Sequence, residues 1–348
     1  MNEKVNNVNP IFITGTYRTG SVYVSRVLNN HPKLDITYDS INYFRFVLKK
    51  NISYQDYKTI VHEISSRMSL RYNINLNKEK ILNNIISSKE TISHKLIYES
   101  IFNDFFEYSS NRWGEKSLME WTNIKTFLSM YPEGRVIHMI RDPRDVMASY
   151  KFMTTETGKK YRDSLFCCMS SMNKAIQLML DLSPTNYKVV LFEDLMKNKE
   201  SEVREICNFL NEDFHIGMLD LSNLVDKVHG ELSSKTHSSF PEISNNFTNR
   251  WKNKLSGDEV LLIDSLLKEQ MNYFSYEINE TIDKNNLDDL AKKLFSSEPL
   301  LIDRWKNYNK TKDGVESYPS DPTNINNWVK RSQIPNKGAG KGYTKFKN

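Results

Sequence analysis

The sequence predicts an α/β fold: a P-loop-like parallel sheet flanked by helices, with a helical insert and a C-terminal extension. Three observations predict it. Short apolar runs alternate with stretches of helical periodicity, the order that yields a parallel sheet covered by helices. The first run, Pro10-Ile11-Phe12-Ile13-Thr14, leads into a loop bounded by Gly15 and Gly20 and then into a helix. A later run, Arg135 to Ile140, ends at Arg141-Asp142-Pro143, where Asp suits a helix N-cap and Pro the first helical position. Both loops then fall at the carboxyl ends of strands, where open α/β sheets bind ligands.

The elements follow in order. After the first loop, Ser21 to Asn30 reads as a helix with Val24, Val27 and Leu28 on one face, closed by the turn Asn29-Asn30-His31-Pro32. Leu34 to Tyr38 is extended. Residues 41–111 carry helical patterns rich in Ile, Leu, Phe and Tyr and contain no proline, and are expected to form an inserted helical layer. Thr122 to Met130 is a helix, Arg135 to Ile140 a strand, and a helix starts at Pro143. Leu165 to Leu182 is a further helix, Tyr187 to Phe192 a strand, and Glu202 to Leu210 a helix. The body ends with a helix from Ser256 to Met271, where Ser256 and Glu259 have the spacing of a capping box. Residues 1–280 are read as one domain. Residues 281–348 are read as an extension: two helices, Leu287 to Phe295 and Leu300 to Tyr308, then a basic arm with irregular or extended composition from Thr311.

Composition narrows the class. The chain has 348 residues, 39% hydrophobic and 26% charged, as in globular proteins, and no apolar run long enough to span a bilayer. No apolar signal region follows Met1-Asn2-Glu3-Lys4. The cysteines are Cys167, Cys168 and Cys207, an odd set with two adjacent, which argues against a disulfide framework. A cytoplasmic protein without a membrane partner is expected. The net charge of +5 resides in the tail: Val329 to Asn348 holds six basic residues and no acidic ones, leaving residues 1–328 at −1. A nearly neutral body is not the footprint of a nucleic-acid binder. The aromatic and basic residues of the arm, among them Trp328 and Tyr343, leave room for a homo-oligomer formed through it. Cys167 and Cys168, beside Met169 and Met172 on a helical pattern, read as packing rather than redox groups.

The loop Gly15-Thr16-Tyr17-Arg18-Thr19-Gly20-Ser21 has the G-x-x-x-x-G spacing of a phosphate loop, but Ser21 stands where an ATP- or GTP-using loop needs Lys. The cation is inside the loop, as Arg18. A helix starting near Gly20 presents free N–H groups and a positive dipole end. Ser21 adds a hydroxyl, and Arg18 can fork two hydrogen bonds to a phosphate or sulfate. In the second segment, Arg141 at a strand end and Ser149 about two turns into the next helix can both reach an anion beside that helix start.

Together these segments resemble the sulfotransferase family, whose members use the donor 3′-phosphoadenosine 5′-phosphosulfate (PAPS). The likeness lies in Tyr17-Arg18-Thr19-Gly20-Ser21-Val22 and in Arg141-Asp142-Pro143-Arg144 with Ser149. It extends to Trp113-Gly114-Glu115-Lys116-Ser117, to Val190 through Leu195 followed by Cys207 to Leu210, and to Asn249-Arg250-Trp251-Lys252. The motifs occur in family order over residues 10–278, and the pattern is most similar to the tyrosylprotein and bacterial branch.

The resemblance implies a PAPS-dependent enzyme that transfers a sulfuryl group to a hydroxyl or amine, leaving adenosine 3′,5′-bisphosphate. By that resemblance Tyr17, Arg18, Thr19, Gly20, Ser21 and Val22 wrap the 5′-phosphosulfate. Arg141 and Ser149 hold the 3′-phosphate, and Arg250 and Trp251 close over the nucleotide. Arg18 and Lys116 are the catalytic cations. Fixed cations stabilise charge growing on the bridging oxygen without a metal, and no metal is expected. The base position of that branch, just past His31-Pro32, falls on Asp39, with His94 as a rival and a capping role for Asp39 as the plain alternative. Phe192 replaces a common family Tyr, Asn249 a common Ser or Thr, and Val22 a hydroxyl residue. The acceptor is not identified; carbohydrate, peptide and small metabolite all remain open, with the insert at 41–111 expected to shape its pocket. Two other readings stay open: a P-loop-type kinase, and a nucleotide-binding scaffold protein with weakened catalysis.

Overall fold

The computed structural model describes residues 9–38, 41–47, 56–72, 74–107, 109, 111–153, 160–220 and 247–315. Five strands form one all-parallel sheet in the order β2-β3-β1-β4-β5. They are β1 (Ile11–Gly15), β2 (Leu34–Tyr38), β3 (Arg112–Lys116), β4 (Arg135–Ile140) and β5 (Tyr187–Leu191). From β1 the chain moves outward to β2, returns through β3, and crosses to β4 on the other side. The switch in direction therefore opens a crevice beside the carboxyl end of β1.

Both faces of the sheet are covered, and the strands alternate between two apolar layers. Ile11, Ile13, Ile137 and Met139 pack with helices α1 (Ser21–Asn29) and α10 (Lys199–Leu210). Phe12, Trp113 and Val136 face the other way. They pack under α2 (Tyr43–Val47), α3 (Asp56–Tyr72), α4 (Lys78–Ser87), α5 (His94–Phe105) and α6 (Ile124–Met130). The 41–111 segment is thus helical over its described residues, and its buried aromatic side chains supply much of this layer.

A third cluster joins Ile140 to α7 (Pro143–Met153) and α8 (Ser164–Asp181). The helix expected over Ser256 to Met271 is two, α11 (Gly257–Leu266) and α12 (Lys268–Tyr273), broken at Leu267. Both bonds of the Ser256–Glu259 capping box are present. Helices α13 (Lys284–Phe295) and α14 (Pro299–Thr311) bury Leu294, Phe295, Leu301 and Trp305 in the same cluster as α8 and α11. Among the described residues no helix is long and apolar enough to cross a membrane.

Two elements depart from the sequence expectation. Arg112–Lys116 is a strand inside the sheet, between β2 and β1. Its polar composition masks it, because Glu115 and Lys116 are fully buried charged residues at a position usually apolar. Phe192, expected as a strand end, opens the short helix α9 (Phe192–Lys197).

Candidate functional site

The loop after β1 is held in a conformation that ordinary residues resist. Gly20, the N-cap of α1, has φ of 86°, and a Cβ there would lie 2.3 Å from the Phe192 ring. Arg18 also adopts a positive φ, 73°. Thr19 Oγ1 donates to the Thr16 carbonyl at 2.7 Å and pins the turn. No side chain caps the start of α1, so its N–H groups begin at Ser21 and Val22, which is where an anion would meet them. Tyr17 packs against the buried cluster of the 41–111 segment, linking the loop to that layer.

The β4 loop meets the β1 loop directly, since Gly15 and Met139 are in register. Arg141 is 7% exposed; its Nη1 donates to the Arg18 carbonyl at 2.8 Å and its Nη2 to the Phe247 carbonyl. Its Nε is buried without a hydrogen-bond partner among the described residues. The guanidinium lies 4.4 Å from the Phe192 ring centre. Phe192 therefore contacts both Gly20 and Arg141, and its aromatic face serves this purpose without a hydroxyl. Arg18, exposed at the loop tip, donates from Nε to Ser149 Oγ at 2.8 Å. The structure thus joins Arg18, Arg141 and Ser149, which the sequence assigns to two different anionic groups.

Residues 247–253 lie over this arrangement. Trp251 is buried and its Nε1 has no hydrogen-bond partner, while its ring sits 4.2 Å from the Arg144 guanidinium. Arg250 is exposed beside it, 5.3 Å from the Phe247 ring. Asp142 caps α7 by accepting from the Arg144 backbone N–H at 2.8 Å.

Lys116 ends β3, level with Ile13 of β1, and is fully buried. The next N–H, of Ser117, donates to the Ile13 carbonyl at 2.9 Å. Glu115, on the opposite face, accepts from the Asn42 N–H at 2.6 Å and from Tyr98 Oη at 2.5 Å. Ser117 Oγ donates to Asn42 Oδ1 at 2.9 Å. The end of β3 is therefore laced to the start of the helical segment.

Burial sets the electrostatics. It pulls the Arg141 pKa down, while the neighbouring carboxylates of Asp145 and Glu193 push it back up. An arginine stays charged through such a shift. Burial raises Asp145, with Arg141 opposing. Burial pushes Glu193 up to about 7 against the pull of the Asp142 N–H and Arg141. Burial likewise pushes Glu115 up to about 7.

Asp39 lies outside the described residues. His94 starts α5, half-buried, with its Nδ1 3.2 Å from Tyr43 Oη. Cys167 and Cys168 are buried in separate apolar clusters, and burial pushes the Cys168 thiol up to about 12. Both serve packing. Sequence reasoning missed Glu193, Asp145 and Phe192 as neighbours of Arg141. The Glu-Asp-Leu motif after β5 was the available signal for the first and last. Among the described residues no cluster of His, Cys, Asp or Glu is placed to hold a metal ion.

Comparison with known proteins agrees with this geometry. The structure is similar to the sulfotransferase domain from the curacin biosynthetic pathway, with a TM-score of 0.54 and 18% identity over 78% of this chain and 99% of that domain. It is also similar to the sulfotransferase domain from the Synechococcus PCC 7002 olefin synthase, with a TM-score of 0.55 and 17% identity over 80% of this chain and 99% of that domain. At these identities the likeness is one of fold. No curated protein sequence matches the chain. The model of the sulfotransferase family matches residues 10–215, more than half of the sequence and the loops after β1 and β4, and the chain belongs to that family.

Proposed function

We propose that this sulfotransferase takes its sulfuryl group from PAPS and passes it to a hydroxyl or amine in the crevice beside β1. The observation that carries the donor is Arg141. Its guanidinium is buried, two nitrogens are fixed by carbonyls, and the buried Nε lacks a partner among the described residues. A buried donor left unpaired is costly, and a phosphate oxygen would satisfy it.

The remaining residues fit the same donor. The uncapped N–H groups at the start of α1, with Ser21, Val22 and the pinned Tyr17-Arg18-Thr19-Gly20 turn, would cradle the 5′ group. Arg141, Ser149 and Arg250 would take the 3′-phosphate, and Trp251 would close the site from above. PAPS supplies a sulfuryl group whose departure leaves negative charge on the bridging oxygen. Arg18 and Lys116 would stabilise that charge in place, since fixed cations need no reorganisation. The Arg18–Ser149 bond must open for Arg18 to face the sulfuryl position.

Asp39, the position just past His31-Pro32 in the sequence, would accept the acceptor's proton, with His94 the alternative. The helical segment 41–111 would shape the acceptor side, as Tyr17 packs against it and Glu115 and Ser117 bind its first turn. The three buried thiols fit a reducing cytoplasm. Copies of the chain would associate through the C-terminal extension, whose sequence is rich in basic and aromatic residues.

Titration calorimetry with adenosine 3′,5′-bisphosphate tests the donor, with Arg141→Lys as the control. Lysine cannot reproduce the fork, so affinity falls by about tenfold or more. Wild-type protein that takes up no bisphosphate, or ATP in preference to it, removes PAPS as the donor. Transfer of labelled sulfate across hydroxyl and amine acceptors then identifies the substrate.

A further inference from the structure

Asp145, in the first turn of α7, lies four residues after Arg141 and is 1% exposed. Its carboxylate reaches a segment about a hundred residues away. Oδ2 accepts from the Asn249 N–H at 2.8 Å, and Oδ1 from the Trp251 N–H at 3.0 Å. Asn249 has a left-handed φ of 59°, and the turn it makes brings both N–H groups to one carboxylate. Arg141 Nη2 lies 3.9 Å from the same Oδ2 and donates to the Phe247 carbonyl. Arg144, fixed by Asp142 at 2.7 Å and Asp264 at 3.2 Å, lies against the Trp251 ring.

Arg141 and the first turn of α7 together therefore fasten residues 247–251 at three backbone groups and one ring. Arg250 sits between the two N–H groups that Asp145 holds. Its charge acts on Arg141, lowering the pKa there. Two cations near each other repel, so a fixed backbone is needed to hold Arg250 on the side of Arg141. A buried carboxylate is itself expensive unless it is paired and hydrogen-bonded. Asp145 meets both conditions only while the segment is seated.

We propose that Asp145 is a positioning residue for donor recognition: by fastening the Asn249–Trp251 turn to the start of α7, just after Arg141, it aligns Arg250 with Arg141 and sets the preference for a nucleotide bearing a 3′-phosphate. The proposal rests on the donor reading above. An acidic residue in the first turn of a helix is also favoured by the helix dipole. A role confined to that would change stability and leave nucleotide preference untouched.

The test compares wild type and Asp145→Asn, each titrated by calorimetry with adenosine 3′,5′-bisphosphate and with adenosine 5′-monophosphate. Asparagine keeps the size and one acceptor oxygen but loses the charge. The preference for the bisphosphate falls by about tenfold, on the scale of a lost charge-assisted bond, while monophosphate affinity stays within about twofold. A variant that keeps the wild-type preference overturns the role of Asp145 and leaves the donor reading standing. Wild type without any preference overturns both.

Should Asp145→Asn fail to fold, as judged by circular dichroism, hydrogen exchange on the wild type decides. The Asn249 and Trp251 amides gain protection with the bisphosphate and not with the monophosphate. Equal protection by both ligands overturns the proposal.

Discussion

Gly20 shows how much one residue of the loop carries. Its φ of 86° belongs to the left-handed region, and the space a Cβ would take is filled by Phe192. Gly20→Ala combines a backbone cost with an overpacking cost, together about 2–4 kcal/mol. Thermal unfolding reads the loss, and Gly20→Ala with Phe192→Leu separates its parts. Removing the ring relieves the clash but leaves the backbone strained, so the double variant recovers part of the stability. Arg141 loses its aromatic neighbour in that double variant, so bisphosphate affinity stays below wild type even where stability returns. Full recovery of both would show that Phe192 merely fills space. The sequence made Gly20 legible through its spacing from Gly15. The contact with Phe192, more than 170 residues away in the chain, was not legible, because nothing local in either segment encodes the meeting of two loops.

At the scale of elements, β3 is the instructive case. Strands buried on both faces read as apolar runs, and β1 and β4 were recognisable on that ground. Arg112-Trp113-Gly114-Glu115-Lys116 breaks the rule, since two charged side chains are buried at its end. Local pattern fails there because both end residues are charged yet buried: Lys116 faces the sheet layer of Ile13 and Glu115 the helical segment. The family resemblance carried Lys116, while periodicity alone would have left the strand unassigned. Glu115 predicts a pH dependence. Burial lifts its pKa from 4.5 to about 7, so the folded state binds this proton more tightly than the unfolded chain does. Its stabilisation is complete below about pH 4.5 and is lost as pH rises through about 7. Glu115→Gln keeps the shape and removes the titration. The variant therefore gains on wild type as pH rises from 5 to 8, by on the order of 3 kcal/mol. Denaturant unfolding at several pH values measures it. Parallel curves for the two proteins would show that Glu115 ionises freely in the folded state.

For the whole molecule, buried titrating groups pull in opposite directions. Glu193 acts like Glu115, raised by burial to about 7, and both favour the folded state at low pH. His138 acts the other way. Between Tyr187 Oη at 2.7 Å and Ser171 Oγ at 2.8 Å it is buried, and burial lowers its pKa from 6.5 to about 3. Its contribution is present above pH 6.5 and is lost as pH falls through about 3. Glu259 joins it on the acid side. Burial would raise its pKa, but bonds from Tyr161, the Ser256 N–H, Lys151 and Arg162 outweigh burial and hold it at about 2. This stabilisation is present above 4.5 and is lost as pH falls through about 2. Between about pH 4.5 and 6.5 the two carboxyls raised to about 7 outweigh the depressed His138, so stability declines as pH rises. Below that window the acid-side groups dominate and stability declines as pH falls. Maximum stability is thus expected near pH 5, at the acid edge of the usual range. Glu259→Gln should unfold more easily by about 3–5 kcal/mol at neutral pH, since it leaves Arg162 buried with its carboxylate gone. It should also show a shallower acid limb, and Glu193→Gln a shallower limb toward pH 8. An unfolding midpoint that climbs steadily from pH 5 to 8 in wild type would mean that the buried carboxyls at β3 and α9 do not govern the stability of this fold.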